Sequence, residues 1–189
     1  MSSFSRYLSR LKKESFLIVL FILTIWIVFF LDRFLPLEML GLRPRNISGL
    51  VGVFTMSFLH GDLPHILSNT FPLIVLLLML VGSRHNSVVI VIAVSILGGF
   101  ILWTLGSSGT LHIGASLLVF GLAGFLLTSG FFFEPRPVST MISFIVLIGY
   151  GGALMSGFAP WQKGVSWDGH LYGFIAGTIV AFLMSKRRL

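Results

Sequence analysis

Long apolar stretches separated by short polar turns form the dominant pattern of this chain. Six of these stretches hold roughly 20 residues, the length that an α-helix needs to cross the hydrocarbon core of a bilayer. They cover residues 16–35, 64–82, 88–106, 113–131, 138–158 and 168–185. The turns are too brief to hold a separate soluble domain. The pattern therefore predicts an all-α membrane protein, a single bundle of six transmembrane helices over residues 1–189 with a short basic segment at 1–15.

Composition supports the membrane assignment and narrows the chemistry. Of the 189 residues, 56% are hydrophobic and only 10% are charged, and the mean hydropathy is +1.00. Soluble domains contain about 25% charged residues, so a soluble fold is excluded. The chain has no cysteine, which rules out a disulfide framework, a cysteine zinc site and a thiol nucleophile. We expect no metal and no other cofactor.

The distribution of basic residues indicates membrane topology. The net charge is +7, but the Lys and Arg residues cluster beside the predicted span ends, which favours a topology signal over nucleic-acid binding. Nine of the 13 fall on one side of the membrane: Arg6, Arg10, Lys12, Lys13, Arg84, Arg136, Lys186, Arg187 and Arg188. Four fall on the other side: Arg33, Arg43, Arg45 and Lys163. We expect a multi-pass protein of the cell (inner) membrane with both termini in the cytoplasm.

Two polar residues near the start of apolar spans are candidates for chemistry. Ser116 opens the fourth predicted span, where serine is also common as a small residue at helix contacts. His170 opens the sixth, and Gly173 and Gly177 follow it on nearly the same helix face. That spacing predicts that the face carrying the histidine packs closely on another helix. A serine and a histidine are the nucleophile and base of a serine hydrolase dyad.

A second pair of polar residues lies in the second predicted span. His65 and Asn69 are four residues apart, so a helix puts them on one face about one turn apart. Two donors pointing the same way can bind a developing oxyanion. They can equally hydrogen-bond neighbouring helices as structural contacts, and the pair alone leaves both interpretations open.

The remaining polar residues fit structural roles better. His85 lies in a predicted cytoplasmic turn and His112 in a short outer loop. Asp168 is two residues from His170 and points away from it on a helix. His60 precedes a Gly-Asp turn, and we expect it to tie down the long first outer loop at residues 36–59. None of them is predicted to be the third member of a triad.

Three motifs together carry a family resemblance. A GxS element opens the fourth span at Ser116, HILSN occupies residues 65–69 in the second span, and GHLYGFIAG occupies residues 169–177 in the sixth. Their order and placement over six spans resemble the rhomboid family of intramembrane serine proteases, in its basic six-helix bacterial form. The resemblance covers essentially the whole chain and implies a six-transmembrane-helix rhomboid-like bundle.

The resemblance also implies a function for each motif. Ser116 would be the nucleophile and His170 the general base, as a dyad without an acid. The backbone N–H of Ser116 and the side chains of His65 and Asn69 would form the oxyanion hole. The family's polar cavity opens to the outer side, is covered by the loop at 157–167 and is gated laterally by the fifth helix. Its substrates are membrane proteins whose own transmembrane helix enters from the lipid.

The sequence departs from the family pattern at three places. Leu117 follows the nucleophile where glycine is usual, so the packing behind the serine must differ. Phe120 stands where a tyrosine often stacks on the histidine, which can preserve stacking without the hydroxyl. The Trp-Arg element often found in the first outer loop is absent, and residues 41–45 occupy a shorter loop.

Other functions fit less well. A metal-dependent intramembrane protease needs an HExxH helix, which the chain lacks. An aspartyl protease needs two aspartates facing each other within spans, whereas Asp32, Asp62 and Asp168 lie at span ends. A small transporter would show paired intramembrane charges or repeated broken helices. The principal alternative is a rhomboid-like protein that binds transmembrane helices without cleaving them, although such relatives typically lose the serine or the histidine.

Overall fold

The computed structural model describes residues 3–84, 86–161 and 165–186. This part of the chain is helical, without a regular strand, which confirms the all-α prediction. Six long helices follow in order: α1 (Ser3–Leu31), α2 (Leu63–Ser83), α3 (Ser87–Leu105), α4 (Ser116–Thr128), α5 (Pro137–Gly157) and α6 (Trp167–Lys186). A π-helical turn, Ser129–Phe133, continues α4, and short helical turns fill the connection between α1 and α2.

Five helices in the described residues are long and apolar enough to cross a membrane: α1 from Leu11 onward, α2, α3, α4 with its π turn, and α5. The predicted sixth span corresponds to α6, which has 20 residues. This helix is not among the five, because Asp168, His170 and three glycines make it less apolar. Large apolar side chains are exposed on the outer faces of the bundle, as at Phe16, Ile92 and Ile148. The chain is thus a multi-pass membrane protein with at least five candidate spans among the described residues.

Three predicted span boundaries were wrong. The first helix begins at Ser3, and its apolar part at Leu11, rather than at residue 16, so the predicted basic segment is largely helical. The first helix ends at Leu31 rather than at residue 35, since the Asp32 carboxylate accepts the backbone N–H groups of Leu37 and Glu38 and so turns the chain. The fourth helix begins at Ser116 rather than at residue 113. Gly114, with φ of +111°, cannot continue a right-handed helix.

Helix α4 is the centre of the bundle. Of residues Ser116–Phe133, 72% are buried, against 17–39% for the other four candidate spans. Helix α6 packs against it almost backbone to backbone. A Cβ atom on Gly173 would collide with the carbonyl oxygen of Leu117, and one on Gly177 would collide with that of Gly121. The prediction that Gly173 and Gly177 form a close-packing face is therefore confirmed, and the facing helix is the one that carries Ser116.

The loop between α1 and α2 lies against the segment that leads into α4. Leu42 and His112 exchange two backbone hydrogen bonds, at 3.0 and 2.8 Å. The N–H of Arg45 donates to the carbonyl of Trp103 at 2.8 Å, and the guanidinium of Arg45 donates to the carbonyl of Gly106 at 2.9 Å. Residues 41–45, which stand in place of the Trp-Arg element, thus fasten this loop to the end of α3 and to the approach to Ser116.

At the opposite end of the bundle a buried ion pair joins α2 to α4. The guanidinium of Arg84, at the end of α2, lies 2.7 Å from the carboxylate of Glu134 and also donates to the hydroxyl of Ser129. Both charged side chains are almost fully buried, so each depends on the other for compensation. The helices that carry Ser116 and the pair His65 and Asn69 are therefore joined at their far ends.

Candidate active site

A cavity of about 850 Å³ opens at the end of the bundle where α2, α4 and α6 begin. Its walls come from these three helices, from the second half of α5 and from the loop that precedes α4. All four side chains singled out in the sequence line it: His65, Asn69, Ser116 and His170. A smaller apolar groove of about 340 Å³ lies between α1, α2 and α3 and contains none of the four. The fold thus brings residues 105 positions apart in sequence to one cavity.

Ser116 owes its position to the two residues before it. The N–H of Gly114 donates to the carbonyl of Met56 at 2.9 Å. Its φ of +111° is accessible mainly to glycine, and a Cβ atom there would lie 2.5 Å from Nε2 of His65. Glycine at this place therefore permits both the turn and the close approach of the His65 ring. Ser116 then begins α4, where the first backbone N–H groups have no partner inside the helix.

His170 lies in the first turn of α6 and is held from two directions. Its ring stacks on Phe120, with centroids 4.0 Å apart and planes 4° apart. Its Nδ1 lies 3.0 Å from the carbonyl oxygen of Gly157, the last residue of α5. Stacking therefore persists with phenylalanine in place of tyrosine. The described residues contain no hydrogen bond between Ser116 and His170, although both side chains line the cavity.

His65 and Asn69 lie on one face of α2, as their spacing predicts. Nδ2 of Asn69 donates to the carbonyl of His65 at 2.9 Å, which uses one of the two amide hydrogens and fixes the side chain within the cavity wall. The ring of His65 packs edge-on against His60, with centroids 5.1 Å apart. Both side chains can donate to a group bound near Ser116.

His60 has a closer connection to Ser116 than the sequence suggested. It is 1% exposed, and its Nε2 accepts the backbone N–H of Ala115, the residue before Ser116, at 3.3 Å. Burial, and next the nearby His65, lower the pKa of His60 to about 4. A neutral imidazole has one ring nitrogen free to accept, so the low pKa preserves this bond at ordinary pH. His60 ties the end of the loop between α1 and α2 to the turn that precedes Ser116.

The low pKa of His60 predicts a pH-dependent stability. A histidine in the unfolded chain binds a proton below about pH 6.5, whereas folded His60 binds one only near pH 4. The contribution of neutral His60 to the free energy of unfolding is therefore fully present above about pH 6.5. It is lost as the pH falls towards 4, and the loss is about 3 kcal/mol. We expect the Tm of the wild type to fall more than that of His60→Gln between about pH 7.5 and 5 in one detergent. Equal decreases in the Tm of the wild type and of His60→Gln would show that the protonation of His60 does not cause the loss of stability.

A polar cluster that the sequence did not predict occupies one wall of the cavity. The two ring nitrogens of His112 lie 2.7 Å from the hydroxyls of Thr110 and Ser166. The carboxylate of Asp168 accepts the N–H groups of Ser107 at 3.0 Å and Gly169 at 2.9 Å. Burial lowers the pKa of His112, and the charge of Asp168 opposes this effect. Both His112 nitrogens are engaged, and the hydrogen-bond partners of Asp168 are Ser107, Ser166 and Gly169.

Some predicted features lie outside the described residues. These are His85, Lys163, Arg187 and Arg188, together with the middle of the 157–167 loop. Within the described ranges, no group of three or more His, Asp or Glu side chains is arranged to hold a metal ion.

Comparison with known proteins assigns the family. Residues 47–187 match the Rhomboid domain, a range that contains every candidate residue described above. The chain belongs to the rhomboid family. An uncharacterized protein of Mycobacterium tuberculosis is 36% identical over 178 residues, which cover 89% of this chain and 74% of that protein. An uncharacterized protein of Mycobacterium leprae is 36% identical over 153 residues, covering 77% of this chain and 60% of that protein.

The structure explains how this rhomboid accommodates Leu117. The side chain is 2% exposed and packs with Leu42, Met56 and Leu102, on the side of α4 away from the cavity. It lies against Gly98 of α3, where a Cβ atom would approach the leucine to 2.8 Å. The absence of a side chain at Gly98 therefore makes room for the side chain of Leu117. The glycine that usually follows the serine in the family would not need this space.

Proposed function

We propose that this chain is an intramembrane serine protease that hydrolyses a peptide bond in or near the transmembrane segment of membrane-protein substrates. Ser116 is the nucleophile and His170 the general base. The observation that carries the proposal is the shared cavity: Ser116 at the start of the most buried helix and His170 stacked on Phe120 both line it. Membership of the rhomboid family supports the same reaction.

The reaction proceeds by acyl transfer. Nε2 of His170 takes the proton from Oγ of Ser116 as the oxygen attacks the carbonyl carbon of the scissile bond. The tetrahedral intermediate collapses when the imidazolium returns that proton to the departing amine. Water then attacks the acyl-enzyme as His170 removes a proton from it, and the imidazolium returns that proton to Oγ of Ser116 as the acyl–oxygen bond breaks and the carboxylic acid product leaves. Hydrogen bonds between such groups are often longer in the free enzyme and shorten when substrate binds.

Negative charge on the carbonyl oxygen needs donors that are already in place. We assign this function to the backbone N–H of Ser116 and to the side chains of His65 and Asn69. The support is their common position on the cavity wall and the contact of the His65 ring with Gly114, two residues before Ser116.

Substrates enter between α2 and α5 in this proposal. The cavity wall includes Asn69 and Pro72 of α2 and Tyr150 and Leu154 of α5, so the cavity extends to the crevice between these two helices. An intact transmembrane helix shields its own carbonyls with backbone hydrogen bonds. A substrate must therefore unwind locally before Ser116 can reach its peptide bond, and polar side chains on the cavity wall, such as Ser68 and Asn69, provide partners for the released groups.

The distribution of basic residues supports a cytoplasmic location for both termini, with the cavity towards the outer side. Reporter fusions test this orientation. Alkaline phosphatase fused after Leu189 is expected to be inactive, and the same enzyme inserted near Gly109 is expected to be active. The reverse pattern would put the cavity on the cytoplasmic side.

Reaction with a serine-directed fluorophosphonate tests the proposed activity directly. The detergent-solubilised wild type is expected to be labelled, and Ser116→Ala is expected to remain unlabelled. The matched control is Ser68→Ala, which changes another serine on the cavity wall and should leave labelling intact. Labelling that survives in Ser116→Ala would refute the proposal. A protein that only binds transmembrane helices would capture a single-span peptide but show neither labelling nor cleavage.

A further inference from the structure

The imidazole of His170 has a partner on only one of its two nitrogens among the described residues. Nδ1 lies 3.0 Å from the carbonyl oxygen of Gly157. A carbonyl oxygen only accepts, so this contact is a hydrogen bond when Nδ1 carries the proton. In neutral imidazole that leaves Nε2 unprotonated, which is the form that can accept a proton from a serine.

We infer that Gly157 is a positioning residue whose backbone carbonyl selects the tautomer and orientation of His170. The inference rests on the proposed function and adds a third component to its site. In a Ser-His-Asp triad, a carboxylate accepts the Nδ1 proton and holds the ring in the productive tautomer. Here a main-chain oxygen at the end of α5 does the same without a charge.

Only glycine fits at this position. A Cβ atom on residue 157 would collide with the ring of Phe120 and lie 3.0 Å from Nδ1 of His170. Phe120 cannot withdraw easily, because it is stacked on His170 at 4.0 Å and packs against Phe158 with ring centroids 5.6 Å apart. The carbonyl can therefore reach the imidazole only from a residue that has no side chain.

Other candidates for orienting His170 are already engaged. The carboxylate of Asp168 is bonded to the N–H groups of Ser107 and Gly169. The ring of His112 is bonded to Thr110 and Ser166. The carbonyl of Gly157 is the acceptor within hydrogen-bond distance of Nδ1 among the described residues.

The position of Gly157 makes the orientation of the base depend on where the end of α5 lies. This helix packs less tightly than α4: Ile148 and Met155 are 82% and 76% exposed, and a Cβ atom on Gly149 or Gly152 would meet no atom within 4 Å. Displacement of the end of α5 would remove the acceptor from Nδ1. His170 is then in its productive tautomer only while the end of α5 stays against Phe120.

The tautomer of His170 can be measured without any substrate. The full chain labelled with ¹⁵N-histidine is examined by NMR in detergent micelles, above the pH range in which histidine titrates, with His170→Ala as the assignment control. We expect His170 to carry its proton on Nδ1. A proton on Nε2, or equal populations of the two forms, would overturn the inference even if the protein cleaves substrates. The expected tautomer in a protein that never reacts with a fluorophosphonate would support the positioning while refuting the proposed function.

A matched pair of alanine variants then tests the effect on catalysis. Gly157→Ala should lower kcat on the order of 100-fold, as expected for a misplacement of about 1 Å, with KM nearly unchanged and a mixed His170 tautomer. Gly149→Ala lies in the same helix but in open space, and should keep the kcat and tautomer of the wild type. Normal kcat in Gly157→Ala, or equal losses in both variants, would overturn the inference. If Gly157→Ala does not fold, the tautomer of the wild type decides alone.

Discussion

His170→Ala is expected to abolish cleavage of a single-span model substrate at every pH, with a loss on the order of 10⁴-fold or more in kcat. The variant removes the proposed general base, the group that would take the proton from Ser116 and return it to the leaving amine. In the wild type, cleavage should decline as the pH falls through the range in which histidine gains a proton, roughly 6.5 for a free side chain. Initial rates measured across this range for both proteins provide the test.

The control for this prediction is His112→Ala, because His112 lines the same cavity but both of its ring nitrogens already have hydroxyl partners. It should retain a pH profile of the wild-type shape. Substantial turnover by His170→Ala, together with loss of activity in His112→Ala, would assign the base to His112 instead.

Asn69→Ala and His65→Ala are each expected to slow cleavage on the order of 100 to 1,000-fold, the usual cost of losing one oxyanion donor. Donors of this kind stabilise charge that develops only in the transition state. The loss should therefore appear in kcat with little change in KM. Steady-state kinetics on the same single-span substrate separate the two parameters.

Folding must be checked in the same experiment, because the amide of Asn69 also donates to the carbonyl of His65 within α2. Ser68→Ala is the matched control, since its hydroxyl likewise bonds to the His65 carbonyl and its side chain lines the cavity. Full activity in Asn69→Ala and His65→Ala would make the pair structural contacts between helices. If the variants lose activity only because their Tm is lower and they no longer fold, His65 and Asn69 would likewise be structural contacts and not oxyanion donors.

Apolar length and helical spacing predicted much of the fold. The stretches of roughly 20 apolar residues correspond to α1 to α6, and the spacing of Gly173 and Gly177 identified the face of α6 that packs on α4. The predicted ends of the helices were less accurate where the conformation of a single residue determines the end. Gly114 delays the start of α4 through a positive φ, a property that a hydropathy pattern does not contain.

The support around the candidate dyad was much less predictable. His60 bonds to Ala115 across 55 residues of sequence, and His170 meets the carbonyl of Gly157 across 13. Such contacts depend on how the helices pack, and a backbone carbonyl has no residue type by which a sequence can indicate it. The packing of Leu117 against Gly98 was equally unpredictable. A small residue on one helix indicates a close contact only once the residue that faces it is known.

The seam of glycines between α4 and α6 has a consequence for the lipid environment. Helices that meet through long side chains can slide past each other when those side chains change rotamer. At Gly173 and Gly177 the backbone of α6 lies directly against the backbone of α4, at Leu117 and Gly121. Such an interface has no side-chain rotamers that can change. The depths of Ser116 and His170 relative to each other are therefore expected to stay constant as bilayer thickness varies, and tilting of α1 and α5 would absorb the mismatch.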